Sequence, residues 1–293
     1  MTSIAIDQTA CTRCGACVEL CTGHVFARSE ERVEAARPED CWLCGHCVAV
    51  CPVDAVRHSG YPLEECPPLD SAVLPSLDAL VAILRERRSA RVFRDRCVPR
   101  ELVRQLVDVA RWAPSAHNGQ PVDWLAIDAP QQIAVLSAQT VAALGAMVRP
   151  VTHPLQRHLV RIAMRPKGFA QALELAASVQ RMAERQARGD DPIFRHAPLV
   201  LIAHVPGRDT FGRDDAVYAA YNLMLAAQRI GLGACQIGYF MVALANSREL
   251  RGALGLPEGR RAQVALILGY PKYRFRRALV RRTPNLTWGV PNT

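Results

Sequence analysis

Eight of the eleven cysteines lie between residues 11 and 51, in two copies of one spacing. Cys11-Thr-Arg-Cys14-Gly15-Ala-Cys17-Val18-Glu-Leu-Cys21 returns thirty residues later as Cys41-Trp-Leu-Cys44-Gly45-His-Cys47-Val48-Ala-Val-Cys51-Pro52. Each copy reads C-x2-C-x2-C-x3-C. Three thiolates so close in sequence wrap one compact object, and the fourth lies too far along to close the same site. In such a doubled run the fourth cysteine of each copy ligates the other cluster. One [4Fe–4S] cluster is therefore expected on Cys11, Cys14, Cys17 and Cys51, and a second on Cys41, Cys44, Cys47 and Cys21. Gly15 and Gly45 let the backbone pass close to inorganic sulfide, where amide N–H groups offset its negative charge. Structural zinc also takes four cysteines, but typically as two separated C-x2-C pairs. Disulfides would suit an exported domain.

The doubled segment, residues 3–58, resembles a bacterial-type ferredoxin domain. It departs from its own repeat at Thr22, where the second copy has Pro52, and no ligand is lost thereby. Charge separates this head from the rest of the chain. Residues 1–75 carry five basic and eleven acidic side chains, net −6, whereas residues 76–293 carry 31 and 16, net +15. An asymmetry of this size is expected of two modules with different partners. The basic residues of the body are dispersed along helices and not interleaved with aromatics, which argues against nucleic acid. The lysines are Lys167 and Lys272 alone, leaving two candidates for amine chemistry. No stretch approaches the roughly 18 apolar residues of a membrane span, and Met1-Thr-Ser-Ile-Ala-Ile-Asp does not read as a signal peptide. The expectation is a cytoplasmic protein with no membrane or nucleic-acid partner.

The organisation expected is a two-cluster domain over 1–60, a linker over 61–76 rich in proline and acids, and a larger domain over 77–293. In that larger domain helices are predicted over 78–86, from Pro99 onward to 110, over 130–148, 155–163 and 168–187, and over 214–230. Strands are predicted over 122–127, 199–203, 234–238 and 263–268. Pro114 and Pro121 bracket a loop, and Gly189 to Pro192 breaks a helix. Such a body is α+β, helices around a modest central sheet. It carries no P-loop, no G-x-G-x-x-G after a strand, no H-E-x-x-H and no G-x-S-x-G, so the nucleotide, zinc-protease and serine-hydrolase mechanisms built on them are unsupported. Arg87, Arg88 and Arg91 around Ser89 could receive a phosphate monoester through guanidinium forks, or could be a solvated face.

Four segments in order make a larger pattern: Arg87-Arg-Ser-Ala-Arg91-Val-Phe93, Ala113-Pro-Ser-Ala-His-Asn-Gly-Gln-Pro121, Gly231-Leu-Gly-Ala-Cys-Gln-Ile-Gly238 and Leu268-Gly-Tyr-Pro271. Together they make residues 78–285 resemble the nitroreductase family, whose members are FMN-dependent homodimers with flavins at the subunit interface; a subgroup carries an N-terminal two-cluster ferredoxin domain. The resemblance implies that Arg87, Ser89 and Arg91 hold the FMN phosphate and ribityl chain, with Arg88 against the flavin edge. Pro114, Ser115, Ala116 and Asn118 would line the ring from the partner subunit. Gln236, Ile237, Gly238 and Tyr239 would form the wall near flavin N5, with the Gly238 N–H as donor to it, and Arg281 and Arg282 would complete the phosphate site. Val122-Asp123 stand before Trp124 where the family often has an aromatic directly, which bears on the substrate pocket. His117 and Tyr239 are rival proton donors, and Cys235 reads as packing.

The function so implied is an iron–sulfur flavoprotein oxidoreductase, a small ferredoxin-like domain followed by a nitroreductase-like flavin domain. Electrons would pass from two [4Fe–4S] clusters to FMN and on to a small nitroaromatic, quinone-like or similar acceptor, with a ferredoxin or other redox protein as possible donor. Two alternatives stand: an electron-transfer module serving a partner protein, or a flavin dehydrogenase sending electrons out through the clusters.

Overall fold

The computed structural model describes residues 3–289. The chain packs as two units: one takes in the residues up to Leu74 together with Pro114–Pro121, the other Pro75–Ala113 and the residues from Val122 onward.

In the first unit the repeat is visible in the backbone. Strand β1 (Ile4–Ile6) pairs antiparallel with β4 (Val56–His58), and β2 (Phe26–Arg28) with β3 (Val33–Ala35). Each pairing thus takes one strand from each copy or its flank, which crosses the two halves over one another. Two five-residue helices, α1 (Ala16–Leu20) and α2 (His46–Val50), follow the cysteine triplets. Each begins after a left-handed glycine, Gly15 at φ 82° and Gly45 at φ 73°, where a Cβ would cost about 1 kcal/mol or more. Val25, Phe26, Val33, Val48 and Val56 form a small core between the thiols. Strands of three residues present no detectable period-2 pattern, so nothing short of the pairing itself defines them.

The second unit is built on a four-stranded antiparallel sheet in the order β5-β6-β8-β7. Its strands are β5 (Asp123–Ile127), β6 (Leu199–Pro206), β7 (Gly233–Gln236) and β8 (Arg260–Gly269). Strand β6 is apolar at nearly every position because both of its faces are covered. Leu199, Leu201, Ala203 and Val205 pack with Leu106 of α4 (Arg100–Ala110) and Leu223 of α8 (Gly212–Arg229). Val200 and Ile202 point the other way, to α5 (Pro130–Thr152), α7 (Pro166–Ala187) and α9 (Gly238–Asn246). Helices α3 (Leu77–Glu86), α6 (Pro154–Ala163) and α10 (Arg248–Ala253) complete the unit. Among the described helices, α5 alone is long and apolar enough to cross a membrane by composition; here Ile133, Leu136 and Leu144 on it are built into the core.

Several bounds differ from expectation: α5 runs on to Thr152, β6 to Pro206 and β8 over Arg260–Gly269. The predicted strand over 234–238 ends at Gln236, and α9 starts at Gly238. The apolar run from Ile237 to Ala245 carries no polar spacing that could tell a buried strand from a buried helix. Helix α10, capped by the Ser247 hydroxyl accepting from the Leu250 N–H, is too short to show a period.

Candidate functional site

The head brings the eight cysteines into two groups. Cys11, Cys14, Cys17 and Cys51 line one small cavity with Gly15, Val33 and Val56. Cys21 lies close enough to raise the Cys47 thiol pKa electrostatically, as Cys41 and Cys44 also do, though the largest cause is burial; together they push it up to about 11. Burial likewise raises Cys17, with Cys11 and Cys14 adding to it. Half-buried thiols of this kind gain from a cationic iron centre that takes them as thiolates.

Backbone N–H groups already point at the sulfurs, and they do so in mirrored pairs. Arg13 N–H donates to Cys11 Sγ (3.4 Å) and Leu43 N–H to Cys41 Sγ (3.3 Å). Val25 N–H donates to Cys21 Sγ (3.4 Å) and Ala55 N–H to Cys51 Sγ (3.1 Å). To aim these groups the chain accepts left-handed backbone at Arg13 and Leu43, and again at His24 and Asp54, conformations uncommon outside glycine. Sulfur ligands supplied with N–H donors suit the anionic sulfur of an iron–sulfur cluster, so the residues fit the group expected there.

In the second unit three of the four body segments converge. Residues 87–93 leave α3 as an extended chain whose Ser89 bridges Ala234 of β7 and whose Phe93 bridges Pro271. Ala90 N–H donates to Ala234 O (3.0 Å), Arg94 N–H to Tyr270 O (2.8 Å) and Lys272 N–H to Val92 O (3.0 Å). Gly233 must be glycine here, because a Cβ would collide with the Ala90 methyl.

Beside this seam lies a cavity of about 620 Å³, lined by Arg87, Arg88, Arg94, Gln228, Lys272 and Arg274 among others. Its one lining carboxylate, Glu86, pairs with Arg229. Arg88 Nε and Gln228 Nε2 are buried and have no acceptor among the described residues. A buried unpaired donor costs roughly 1–3 kcal/mol, so both fit an acceptor-rich, anionic ligand filling the cavity. A flavin mononucleotide, with its phosphate and ribityl oxygens, has that chemistry.

Sequence reasoning singled out Arg87 and Arg88, which line this cavity, and Ser89 and Arg91, which stand on the same segment without lining it. It did not assign Arg94, Gln228, Arg229 or Arg274 to the site; the last is four residues beyond the Gly-Tyr turn, and only the fold brings it to the rim of the cavity. Arg281 and Arg282 lie in an exposed tail without regular structure and do not line the cavity. Gln236 ends β7, the buried Ile237 caps α9, and Gly238 and Tyr239 open that helix, both exposed. Buried Cys235 is a packing residue whose thiol lies 3.5 Å from Gln236 O.

The fourth segment goes elsewhere. Pro114, Ser115, Ala116 and Asn118 belong to the piece that packs with the first unit. Asn118 Nδ2 donates to Leu43 O (2.8 Å) and to the Tyr61 hydroxyl (2.6 Å), and Tyr61 itself donates to Leu43 O. His117 meets the edge of Trp42 with ring centres 5.1 Å apart.

Comparison with known proteins agrees with both halves of this picture. The profile of the nitroreductase family matches residues 84–270, and that of a 4Fe-4S dicluster domain matches residues 6–55. The chain belongs to the nitroreductase family, as an oxidoreductase with a 4Fe–4S ferredoxin-type segment ahead of the catalytic fold. A chloronitrobenzene nitroreductase of Comamonas testosteroni is 28% identical over 213 residues, 67% of this chain and 88% of that protein. An uncharacterized ferredoxin of Methanocaldococcus jannaschii is 40% identical over 57 residues, 19% of this chain and 92% of its own length. Among solved structures, a nitroreductase with bound FMN from Desulfitobacterium hafniense superposes with TM-score 0.52 at 21% identity, covering 71% of this chain and 96% of that one. One from Bacteroides fragilis, also with bound FMN, gives 0.51 at 18%, covering 71% and 98%. These likenesses establish the α+β fold of the second unit.

Proposed function

We propose that this chain is an iron–sulfur flavoprotein that takes single electrons into its head and delivers pairs to a small organic acceptor over FMN. Two [4Fe–4S] clusters are assigned to Cys11, Cys14, Cys17 and Cys51, and to Cys41, Cys44, Cys47 and Cys21. When bound, the clusters would supply one-electron steps and FMN the conversion to two-electron chemistry. Arg87, Arg88, Arg94 and Arg274 would hold the phosphate by charge-assisted hydrogen bonds, with Gln228 Nε2 a further donor. Gly238 and Tyr239 are proposed beside the ring, the Gly238 N–H being one of the first-turn groups that lack an intrahelical acceptor. A homodimer supplying both sides of the ring, a cytoplasmic location and a reduced ferredoxin-type donor complete the reading.

The observation that carries it is the guanidinium-rich cavity with its two orphaned buried donors. Two experiments test it. FMN binding is followed by fluorescence quenching in the full chain and in Arg88→Ala; loss of a charge-assisted contact is expected to weaken binding by roughly 10-fold to 100-fold. Anaerobic absorbance titration is then run with NADH, NADPH and reduced ferredoxin separately. Bleaching of the flavin only by the low-potential donor makes the head the obligatory entrance. A protein that neither retains nor rebinds FMN overturns the proposal.

A further inference from the structure

The two cysteine groups share their backbone but not their surroundings. Cys41 Sγ lies 3.5 Å from His58 Nε2. The opposite ring nitrogen, Nδ1, faces the Gly60 N–H at 3.0 Å. A backbone N–H can only donate, so Nδ1 is the acceptor and the proton of a neutral imidazole sits on Nε2, directed at the sulfur. His58 is only 4% exposed, so water does not compete for that bond. Thirty residues earlier, the position of His58 is held by Arg28, which is exposed; Cys11 has no side-chain donor among the hydrogen bonds of the described residues.

The same half carries a second difference. Its Trp42–Leu43 loop, between ligands Cys41 and Cys44, is held by His117 and Asn118. Three residues of that segment, His117, Asn118 and Gln120, are left-handed non-glycines, a strained backbone that persists only when surrounding contacts over-determine it. The segment continues at one end into α4 and at the other into β5. The segment packs within the first unit and is joined to the second by the chain; the loop it holds belongs to Cys41 and Cys44, not to Cys11 and Cys14.

We propose that the cysteine group Cys41, Cys44, Cys47 and Cys21 is the electron exit of the head, its potential raised by the His58 hydrogen bond and its outlet formed by Trp42 and Leu43 against His117 and Asn118. The proposal rests on the reading of the head as a carrier for two clusters. An N–H donated to a cluster thiolate stabilises the more negative, reduced state and so raises the reduction potential. His58 is a positioning residue in this sense, acting on the ligand. One electron leaves the reduced cluster on this group and one enters the flavin body, with no bond made or broken in the head.

The first test is an EPR-monitored redox titration of the full chain, reduced stepwise with dithionite and mediators. His58→Leu is expected to lower the midpoint of one cluster and leave the other in place, and His58→Gln, which keeps an N–H, to restore part of the difference. If His58→Leu does not hold its cluster, histidine labelled with ¹⁵N in the imidazole ring only is introduced into His46→Asn, which keeps His58, and read by pulsed EPR. There, nitrogen coupling to one cluster only is expected. Unshifted midpoints, equal shifts in both clusters, or no nitrogen coupling overturn the tuning role. The second test is stopped-flow absorbance, following internal reduction of the flavin after mixing with a one-electron donor. Trp42→Ala combined with His117→Ala is expected to slow that phase several-fold without moving either midpoint. The mirrored Thr12→Ala is expected to leave the phase unaltered. Equal slowing by both variants, or by neither, overturns the exit. A preparation without bound flavin sinks the proposed function instead, and the EPR arm can still be read.

Discussion

Residues 11–28 and 41–58 repeat one another in backbone almost position by position, and they diverge in what stands around the thiols. The shared part is what any anionic sulfur site needs: N–H groups aimed at Cys11 and Cys41, and at Cys21 and Cys51, with left-handed residues at equal offsets to aim them. The differing part is side chain. Arg28 lies over Gly15 with its Nη1 2.6 Å from where a Cβ would stand, whereas the Tyr61 ring lies over Gly45 at 3.1–3.3 Å. Arg28 is exposed and can swing away; Tyr61 is fastened to Leu43 and Asn118. A duplicated fold thus keeps its ligand geometry in the backbone and leaves the side chains to make the halves unequal.

The comparison breaks most severely at the crossed ligands. Cys51→Ser is expected to remove the cluster of the first triplet and Cys21→Ser that of the second. Each change would lower iron content by about half for a two-cluster protein. In Cys21→Ser the histidine coupling to a cluster disappears, while in Cys51→Ser it persists; the reverse pattern would show the fourth ligands to be uncrossed.

A smaller effect is expected at the two glycines. Both sit at positive φ, so alanine costs about 1–2 kcal/mol at either. At Gly45 the methyl also presses on a tethered ring, whereas at Gly15 it meets the free end of an arginine. Gly45→Ala is therefore expected to destabilise the head more than Gly15→Ala, as measured by the temperature at which cluster absorbance bleaches. Equal losses would mean that Tyr61 moves as readily as Arg28.

Tyr61→Phe sharpens the contrast further. It deletes a hydroxyl that donates to Leu43 O and accepts from Asn118, while Asn118 keeps its own bond to Leu43 O. A loss of about 1 kcal/mol is expected, visible in the bleaching temperature of the head and not in the unfolding of the second unit.

The smallest effect contrasts the units by pH. His204 on β6 is buried, which lowers its pKa below the ordinary imidazole value, and Arg260, donating to its Nδ1, lowers it further. The unfolded chain therefore binds this proton more readily than the folded one. Stability from this source is complete above the unfolded value of about 6.5 and declines as pH falls from there toward the folded value. A lower melting temperature of the second unit is expected at about pH 5.5 than at about 7.5, and a smaller difference in His204→Gln.

Long-range pairing was the part of the fold least legible in the sequence. The continuous apolar run of β6, the helices α4, α5, α7 and α8, and the cap-and-break residues between them all follow from local pattern, because a strand covered on both faces is apolar throughout and a helix covered on one face repeats its apolar residues at 3.6. The three-residue strands of the head have no room for a period, and the run through α9 is apolar on every side. The candidate site divides likewise. Arg87 and Arg88 stand in a recognisable motif, whereas Arg274 and Gln228 reach the same cavity from a tail and a helix whose sequences carry no mark of it.

The cysteine spacing by itself pointed to the chemistry of the head, since C-x2-C-x2-C-x3-C twice over is the ligand pattern of iron–sulfur cluster domains. Composition and motif order likewise determined the α+β oxidoreductase body. Tertiary structure alone decided that the segment 114–121 leaves the sheet it connects and fastens to the second cysteine loop, and that His58 turns one N–H onto Cys41. Both depend on groups far apart in the chain meeting at hydrogen-bond distance, which no local pattern of residues encodes.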